Sequence, residues 1–274
     1  MRVEFHPRRR RRFEELTVQV LAAGVAALFL LPLLWAMSAS LRGIGVPSPR
    51  RIDFVPSPAA WENYRTVFRV LDFHRYVVNS LIVAAVAVPT TVVSASLAGF
   101  AISQVSGRWR LRLMLFSVSC LMVPLTAIWL PRFILFKEAG LINHRASLMV
   151  PALMGTSPLY VLLFGWAFLR VPREVYEAAR LDGAGPYRIW REVGLPLARP
   201  IAVSVGVLSF VHYWNSFVEP LLYIRTADKM TASLGLRVIY SLDRTNWPLI
   251  MTGAIVVMAP VVIAFLFAQR AFLQ

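Results

Sequence analysis

The 274-residue sequence has little of the chemistry that catalytic and metal-binding proteins use. It contains one cysteine, Cys120, and two lysines, Lys137 and Lys229. A single cysteine excludes an internal disulfide and a cysteine metal cluster. Neither lysine lies in the Gly-x-x-x-x-Gly-Lys-Ser/Thr loop that holds ATP phosphates, and no His-Glu-x-x-His or Gly-x-Ser-x-Gly motif occurs. We therefore expect no catalytic residues, no metal site and no cofactor bound by this chain.

Charged residues are also scarce, at 16%, whereas 58% of the residues are hydrophobic and the mean hydropathy is +0.62. This composition is typical of a polytopic membrane protein. Crossing about 30 Å of hydrocarbon takes about 20 helical residues. The apolar stretches lack the alternation of a membrane barrel, so helices are the remaining way to satisfy the backbone in lipid. The predicted fold class is all-α, with six transmembrane helices.

The six stretches divide the chain into spans and connections. The predicted spans are 17–40, 76–102, 113–131, 146–169, 200–223 and 248–268. They leave a basic N-terminus at 1–16, a proline-rich segment at 41–75 that we expect outside the cell, and a polar stretch at 170–199 that we call the polar insert. We expect prolines within the spans to bend helices, which either serves ordinary packing or opens a cavity.

The net charge of +15 favours one orientation in the membrane. Nucleic-acid binding is an alternative reading of this charge, but arginines beside membrane spans commonly hold loops in the cytoplasm. Arg8–Arg12 immediately precede the first span, which places the N-terminus inside, and six spans return the C-terminus to the same side. The first span has no charge from Thr17 to Ser40, longer than the apolar core of a cleaved signal. We expect it to be retained.

The polar insert reads as two short helices joined by a corner. Pro172 suits a first helical turn, and Ala178 and Ala179 make a thin face. Asp182, Gly183 and Gly185 then end the helix, and Leu195-Pro196 redirects the chain. Such a helix is shaped to enter a cleft of a soluble partner. The alternative is an amphipathic loop that lies on the lipid headgroups.

The insert also carries the residues of a known motif. Glu177-Ala178-Ala179, then Gly183, then Val193-x-Leu195-Pro196 resembles the "EAA---G---------I-LP" loop, with valine in place of isoleucine. That loop belongs to membrane subunits of bacterial binding-protein-dependent ABC importers. Shorter matches extend the resemblance to the carbohydrate-uptake branch and its smaller, maltose-type permease: Trp61-x-Asn63-Tyr64, Asn79-Ser80, Trp214-Asn215-x-Phe217, Leu234-Gly235-Leu236 and Pro260 through Arg270. The chain departs from that pattern at Glu219, where such proteins are commonly apolar, and in ending at Gln274.

The resemblance implies a type I importer permease in the bacterial inner membrane. It implies a second permease subunit, making a heterodimer, an ATPase dimer that binds the ATP and Mg²⁺, and an extracytoplasmic solute-binding protein. The coupling loop that it implies comprises Glu177, Ala178, Ala179, Leu181, Asp182, Gly183, Leu195 and Pro196. The lipid bilayer is the remaining partner, and nucleic acid is not one. The solute, a sugar or a related compound, does not follow from the sequence.

A polar stripe in the fifth predicted span is the candidate translocation pathway. Ser209, His212, Ser216 and Glu219 recur at helical spacing, with Asn215 alongside. Ionisable groups in lipid normally face a cavity or a partner. Trp214 could stack on a sugar or anchor the helix at the interface, and Asn79 could line the pathway or pack between helices. His212 by itself is more typical of helix packing.

Two other classes of protein fit parts of this pattern. A self-contained secondary transporter would need more spans and an ion site near the middle of the membrane. An intramembrane enzyme would need convergent acid and base groups, for which only His212 and Glu219 offer a pair. The secondary transporter would also leave the polar insert unexplained.

Overall fold

The computed structural model describes residues 7–45, 54, 56–70 and 72–272. Part of the basic N-terminus, Pro47 and Pro49 of the external segment, and the terminal Gln274 lie outside the described residues. Within the described residues the structure contains helices and no strand. The all-α expectation is confirmed.

The helices follow one another in chain order, with short 3-10 and π segments between some of them. They are α1 (Pro7–Ser40), α2 (Glu62–Val70), α3 (Phe73–Gln104), α4 (Gly107–Leu121), α5 (Leu125–Glu138), α6 (Ala146–Met149), a 3-10 helix (Val150–Met154), α7 (Pro158–Arg170), α8 (Arg173–Leu181), α9 (Pro186–Arg188), a π-helix (Ile189–Gly194), α10 (Leu195–Leu197), α11 (Arg199–Asn215), α12 (Val218–Tyr223), a 3-10 helix (Ala227–Lys229), α13 (Ala232–Leu242) and α14 (Trp247–Phe272).

Four helical stretches are each long and apolar enough to cross a membrane: Glu15–Ser40, Phe73–Gln104, Ala146–Arg170 and Trp247–Phe267. Two bent pairs of helices raise the count to six if each pair is one span. The pairs are Gly107–Leu121 with Leu125–Glu138, bent by 93°, and Pro186–Leu197 with Arg199–Asn215, bent by 83°. The polytopic architecture agrees with the sequence, and the differences lie in how the spans are interrupted.

The third predicted span, 113–131, straddles one of these bends. Helix α4 ends at Leu121 and α5 begins at Leu125, so residues in the middle of the expected helix form a corner. Pro124 precedes α5 in an extended conformation, with ψ of 136°. Proline has no N–H to donate to a preceding turn, which explains why the helix cannot continue through this position.

The fifth predicted span, 200–223, also divides. Helix α11 stops at Asn215, and α12 begins at Val218. In a continuous helix Pro220 would have to donate to the carbonyl of Ser216, which it cannot do. The hydroxyl of Ser233 donates to that carbonyl instead. Ser216 and Glu219 therefore do not continue the straight stripe that the sequence spacing suggested.

The described chain forms two compact units, residues 1–69 with 239–255 and residues 70–238 with 256–274. In the first unit, Asn63 of α2 donates from Nδ2 to the carbonyls of Ser40 and Arg42, at 2.8 and 2.6 Å. Thr252 donates to the Ser40 carbonyl at 3.0 Å. These bonds satisfy carbonyls at the end of α1 that no helical turn can reach.

In the second unit α3 packs closely against α7 and α11. The α3–α7 contact is centred on two glycines, Gly99 and Gly165. A Cβ added at Gly99 would lie 2.7 Å from the Gly165 nitrogen and 2.8 Å from the Val161 carbonyl oxygen. Small residues allow membrane helices to approach until their backbones touch. This contact brings the aromatic side chains of α3 and α7 together at the end where the polar insert begins.

We expect Gly99→Ala to destabilise the protein by about 1–3 kcal/mol, since the added methyl group meets backbone atoms that cannot move aside. Thermal unfolding of the purified protein in detergent measures the effect. Gly24→Ala in α1 is the matched control, because nothing lies within 4 Å of its added Cβ. We expect the control to be neutral or stabilising by up to about 1 kcal/mol. Equal unfolding temperatures for the two variants would contradict the close α3–α7 contact.

Candidate functional site

The first helix of the polar insert ends in a hydrogen-bonded turn that depends on Gly183. Its N–H donates to the Arg180 carbonyl, and the N–H of Ala184 donates to the Ala179 carbonyl, both at 3.0 Å. Gly183 has φ of +78°, a conformation that side chains disfavour. This pattern is a Schellman motif, which explains the glycine four residues after Ala179.

The insert is anchored to the membrane helices by an aromatic cluster, which we define as Phe100, Phe168, Tyr176, Ile189 and Trp190. All five side chains are buried. Tyr176 of α8 packs edge-on against Phe100 of α3 and donates from its hydroxyl to the Phe168 carbonyl at 3.2 Å. Burial raises the pKa of Tyr176, which keeps the phenol protonated. Because its aromatic side chains are buried against α3 and α7, the insert is a fixed part of the second unit.

The return path of the insert, residues 186–198, also packs against the aromatic cluster. A Cβ at Gly194, the last residue of the π-helix, would lie 3.2 Å from the Phe168 ring and 3.5 Å from Phe100. Arg188 and Glu192 form an exposed ion pair at 2.7 Å, and the hydrogen bond to Glu192 raises the pKa of Arg188. Helix α11 starts at Arg199, directly after this return path. The insert is thus continuous with α7 at its start and with α11 at its end, and it packs on α3 and α7.

The predicted coupling residues lie mostly on the exposed side of the insert. Leu181, the last residue of α8 before the glycine turn, is 89% exposed. Glu177, Ala178, Asp182, Gly183 and Pro196 are also exposed, whereas Ala179 and Leu195 are partly buried against the aromatic cluster. The exposed members from Glu177 to Gly183 flank the glycine corner, and Ala179 and Leu195 fasten the insert to the aromatic cluster.

A small polar cavity lies in the same unit, among residues distant along α7 and α11 from the insert. Its volume is about 40 Å³, room for roughly two or three water molecules. The polar cavity is lined by Arg132 of α5, Thr156, His212 and Tyr213 of α11, Ser216, and Glu219 of α12. Ser216 donates to Glu219 Oε2 at 2.6 Å. The cavity brings together three residues of the predicted stripe, His212, Ser216 and Glu219.

The wall of the polar cavity includes a chain of hydroxyl groups at an interruption in the fourth span. The 3-10 helix ends at Met154, Gly155 and Thr156 have φ of +74° and +59°, and α7 begins at Pro158. The Thr156 hydroxyl lies 2.6 Å from the hydroxyls of both Thr91 on α3 and Tyr213 on α11. Three helices thus meet through hydroxyl groups at this interruption.

Sequence reasoning missed Arg132 and Thr156 as cavity residues. Arg132 lies one residue beyond the end of the predicted third span. Because it falls outside the span, nothing in the sequence indicated that it shares a cavity with Glu219. Thr156 depends on a backbone interruption that the apolar pattern does not show. One signal was available: Gly155 and Pro158 flank a Thr-Ser pair inside an otherwise apolar stretch.

Four of the predicted pathway residues lie elsewhere. Asn79 is buried and donates to the carbonyls of Asp228 and Met230 at 2.8 and 2.9 Å, so it fastens a loop. Ser209 is buried and donates to the Gly206 carbonyl in its own helix. Trp214 is 0% exposed and donates from Nε1 to the Val257 carbonyl of α14 at 2.7 Å. Asn215 is exposed at the end of α11 and does not line the cavity. Burial and hydrogen bonding give the first three residues packing contacts, and the pathway role of all four stays a prediction.

These features belong to a transport subunit. The sequence profile of the family described as "binding-protein-dependent transport system inner membrane component" matches residues 91–274. The chain belongs to this family. It is a multi-pass membrane protein and a permease subunit of an ABC importer, not an enzyme, since the ATPase of such systems is a separate subunit.

Curated relatives support the carbohydrate-uptake resemblance. The chain is 32% identical to the sn-glycerol-3-phosphate transport system permease protein UgpE of Brucella abortus, with 81% of this chain and 82% of the relative covered. It is 28% identical to the arabinooligosaccharides permease AraQ of Halalkalibacterium halodurans, with 80% and 78% covered. The lactose permease LacG of Rhizobium radiobacter is 26% identical, with 97% and 96% covered.

A solved structure supports the fold over the whole chain. A chain of a bacterial ABC transporter involved in the import of the acidic polysaccharide alginate has a TM-score of 0.73 and 22% identity, with 98% of this chain and 99% of that chain covered. At this identity the likeness establishes the shared fold.

We expect Trp214→Phe to destabilise the protein by about 1–3 kcal/mol, because the Val257 carbonyl loses its donor within a buried contact. The unfolding temperature in detergent provides the measurement. Trp166→Phe is the control, because Trp166 is 49% exposed. A Trp214→Phe variant with normal stability and reduced uptake would contradict a purely packing role and support the pathway role predicted from the sequence.

Proposed function

We propose that this permease is driven through the exposed corner of the polar insert, which docks onto a separate ATPase. The observation that carries the proposal is Leu181, 89% exposed on a helix whose other side is fixed by Tyr176. A leucine held rigidly in water gains from a partner, because full burial of such a side chain contributes about 1.5–3 kcal/mol. The partner surface is a cleft that accepts one short helix.

The packing of the insert supports a rigid transmission of movement. Tyr176, Ile189 and Trp190 join it to α3 and α7 through the aromatic cluster. A displacement of α8 therefore displaces the ends of both membrane helices, since a close-packed cluster does not deform continuously. Reversing a 1:99 population of two conformations takes about 5.5 kcal/mol of differential interaction. Leu181 alone supplies part of this, and the rest of the docked surface supplies the remainder.

The family also supports the remaining partners. We propose a second permease subunit as a heterodimeric partner, an ATPase dimer that binds ATP and Mg²⁺, and an external solute-binding protein. One similar structure is of the alginate importer in complex with an alginate pentasaccharide-bound periplasmic protein, with a TM-score of 0.70 and 14% identity. In the proposed orientation the N- and C-termini and the polar insert lie in the cytoplasm, and the polar cavity lies toward the outer side.

The solute that we propose is an uncharged saccharide. Several relatives are named for such solutes, including lactose, trehalose and arabinooligosaccharides. The polar cavity offers hydroxyl, imidazole, carboxylate and guanidinium groups, which are suited to the hydroxyl groups of a sugar. Arg132 and Glu219 contribute opposite charges to its wall. An anionic solute such as sn-glycerol 3-phosphate would favour an excess of positive charge, which this wall does not provide. At about 40 Å³ the cavity must widen before a sugar enters it.

For the docking surface, we expect Leu181→Ser to weaken the hold of the ATPase by roughly ten- to hundredfold, as the lost apolar burial predicts. The measurement is the amount of ATPase subunit that copurifies with the tagged chain, together with ATP-dependent uptake in proteoliposomes. Leu242→Ser is the matched control, a leucine 61% exposed in the connection between the fifth and sixth spans, which a six-span topology with the N-terminus inside places outside the cell. Undiminished copurification of the ATPase with Leu181→Ser would contradict the docking role.

For the polar cavity, we expect Glu219→Arg to lower saccharide uptake at least about tenfold, because two like charges then share a small cavity. Adding Arg132→Glu exchanges the charges and should restore part of the rate, as interacting residues couple by about 0.5–3 kcal/mol. Initial rates of lactose and trehalose uptake measure both variants, and Glu138→Arg, exposed and outside the cavity wall, is the control. Additive losses in the double variant would show that Arg132 and Glu219 do not act together.

A further inference from the structure

A second cavity lies beside the polar insert, and Glu177 is the one predicted coupling residue among those that line it. It is bounded by the turn between α3 and α4, the end of α7 and one side of α8, and its volume is about 570 Å³. Three arginines line it: Arg110 of α4, and Arg173 and Arg180 of α8. We call it the arginine cavity.

Two of the three arginines of this cavity, Arg110 and Arg180, are positioned by uncharged groups. Arg110 donates from Nη2 to the carbonyls of Ser103 and Val105, at 3.1 and 3.0 Å. Arg180 donates from Nη2 to the side-chain oxygen of Gln104 at 2.6 Å. Neutral acceptors fix a guanidinium in place and leave its charge uncompensated. The ion pairs found among the described residues, Arg75 with Asp72 and Arg188 with Glu192, include none of the three.

The remaining polar groups leave the cavity with an excess of positive charge, which favours binding of an anion. Glu177 is the acidic side chain on the wall, which leaves two positive charges in excess. Arg110 Nε is buried without a hydrogen-bond partner among the described residues. Helices α4 and α8 both begin at this wall, at Gly107 and Arg173, and neither has a side-chain cap. Their first N–H groups contribute further positive potential.

The surroundings of the cavity indicate where its anion comes from. The wall also includes the apolar side chains of Leu169 and Val171 at the end of a membrane helix. Nearby on α4, Trp109 is exposed and carries the guanidinium of Arg112 over its ring at 5.0 Å. Tryptophan and arginine in this combination are typical of the level of lipid headgroups. A ligand here meets guanidinium groups on one side and the edge of the apolar region on the other.

We propose that the arginine cavity binds the phosphate group of an anionic membrane phospholipid, such as phosphatidylglycerol. Guanidinium groups bind phosphate oxygens through paired, charge-assisted hydrogen bonds. A volume of about 570 Å³ accommodates a glycerophosphate headgroup, whereas a carboxylate side chain from a docked ATPase would fill a small part of it. The apolar wall allows the acyl chains to leave toward the bilayer. Because α8 carries two of the arginines and also Leu181, the lipid would hold the docking helix at its membrane side.

Native mass spectrometry of the detergent-purified protein, with the subunits that copurify with it, tests this site. Phosphatidylglycerol and phosphatidylcholine are added in turn, and the bound lipid per chain is counted. We expect phosphatidylglycerol to be retained in preference to phosphatidylcholine. Arg173→Gln and Arg180→Gln should each lower that retention about fivefold, the effect of one arginine at a charged lipid surface. Arg191→Gln, an exposed arginine of the same insert outside the cavity wall, should leave it unchanged.

Three results would overturn the proposal. One is equal retention of the two lipids by the wild-type protein. Another is equal retention of phosphatidylglycerol by Arg173→Gln, Arg180→Gln and Arg191→Gln. The third concerns the source of the phosphate: if 20 mM inorganic phosphate, on the order of a saturating concentration for a weak site, displaces phosphatidylglycerol completely, the site holds free phosphate and the lipid assignment is wrong. Loss of the copurifying ATPase from Arg173→Gln without any lipid preference in the wild type would assign the cavity to a partner carboxylate.

Discussion

The burial of Tyr176, Ile189 and Trp190 against Phe100 and Phe168 is the contact on which the rest of the molecule depends. This contact holds a charged segment, which would otherwise be solvated and mobile, as a rigid extension of two membrane helices. Full burial of such side chains contributes several kcal/mol to the attachment, at about 1.5–3 kcal/mol for each large apolar group. Without it, Leu181 would be the tip of a mobile loop, and force applied there would not reach α3 or α7.

The same helices connect the insert to the polar cavity. Helix α11 begins beside the insert at Arg199 and carries His212 and Tyr213 at its other end, and α7 follows directly on the interruption that contains Thr156. The hydroxyl groups of Thr91, Thr156 and Tyr213 join α3 and α11 to the segment just before α7, and α3 and α7 meet again at Gly99, about two helical turns nearer the insert. The helix breaks at Pro124, Thr156 and Ser216 lie at or next to residues that line the cavity. Helix ends at these breaks can rearrange. A pathway that switches between two conformations needs a rigid element that receives the movement, here the polar insert, and interrupted helices that respond to it, here those around the polar cavity.

Much of this arrangement can be predicted from the sequence, and the exceptions share a physical cause. Long apolar stretches predict the spans, because lipid imposes one requirement on every residue, and Gly183 predicts the corner, because its positive φ excludes other side chains. The interruptions at Leu121–Leu125 and Asn215–Val218 are not visible in hydropathy, since the residues on both sides are apolar. The polar stripe is divided for this reason: helical spacing places Ser209 and Glu219 on one face only if the helix continues. Arg132 and Thr156 come from other spans, and their approach to Glu219 depends on tertiary packing.

Site-directed crosslinking at the docking surface tests the central claim most directly. The protein offers a clean background, because Cys120→Ser removes its single cysteine. A cysteine introduced as Leu181→Cys, paired with cysteines placed along the cleft of the copurified ATPase, should form a specific disulfide whose yield changes when ATP is bound. The account predicts crosslinks from position 181 and none from Leu242→Cys. Equal or absent crosslinking at position 181, in an assembly that still imports its solute, would contradict the claim that this corner transmits the movement of the ATPase.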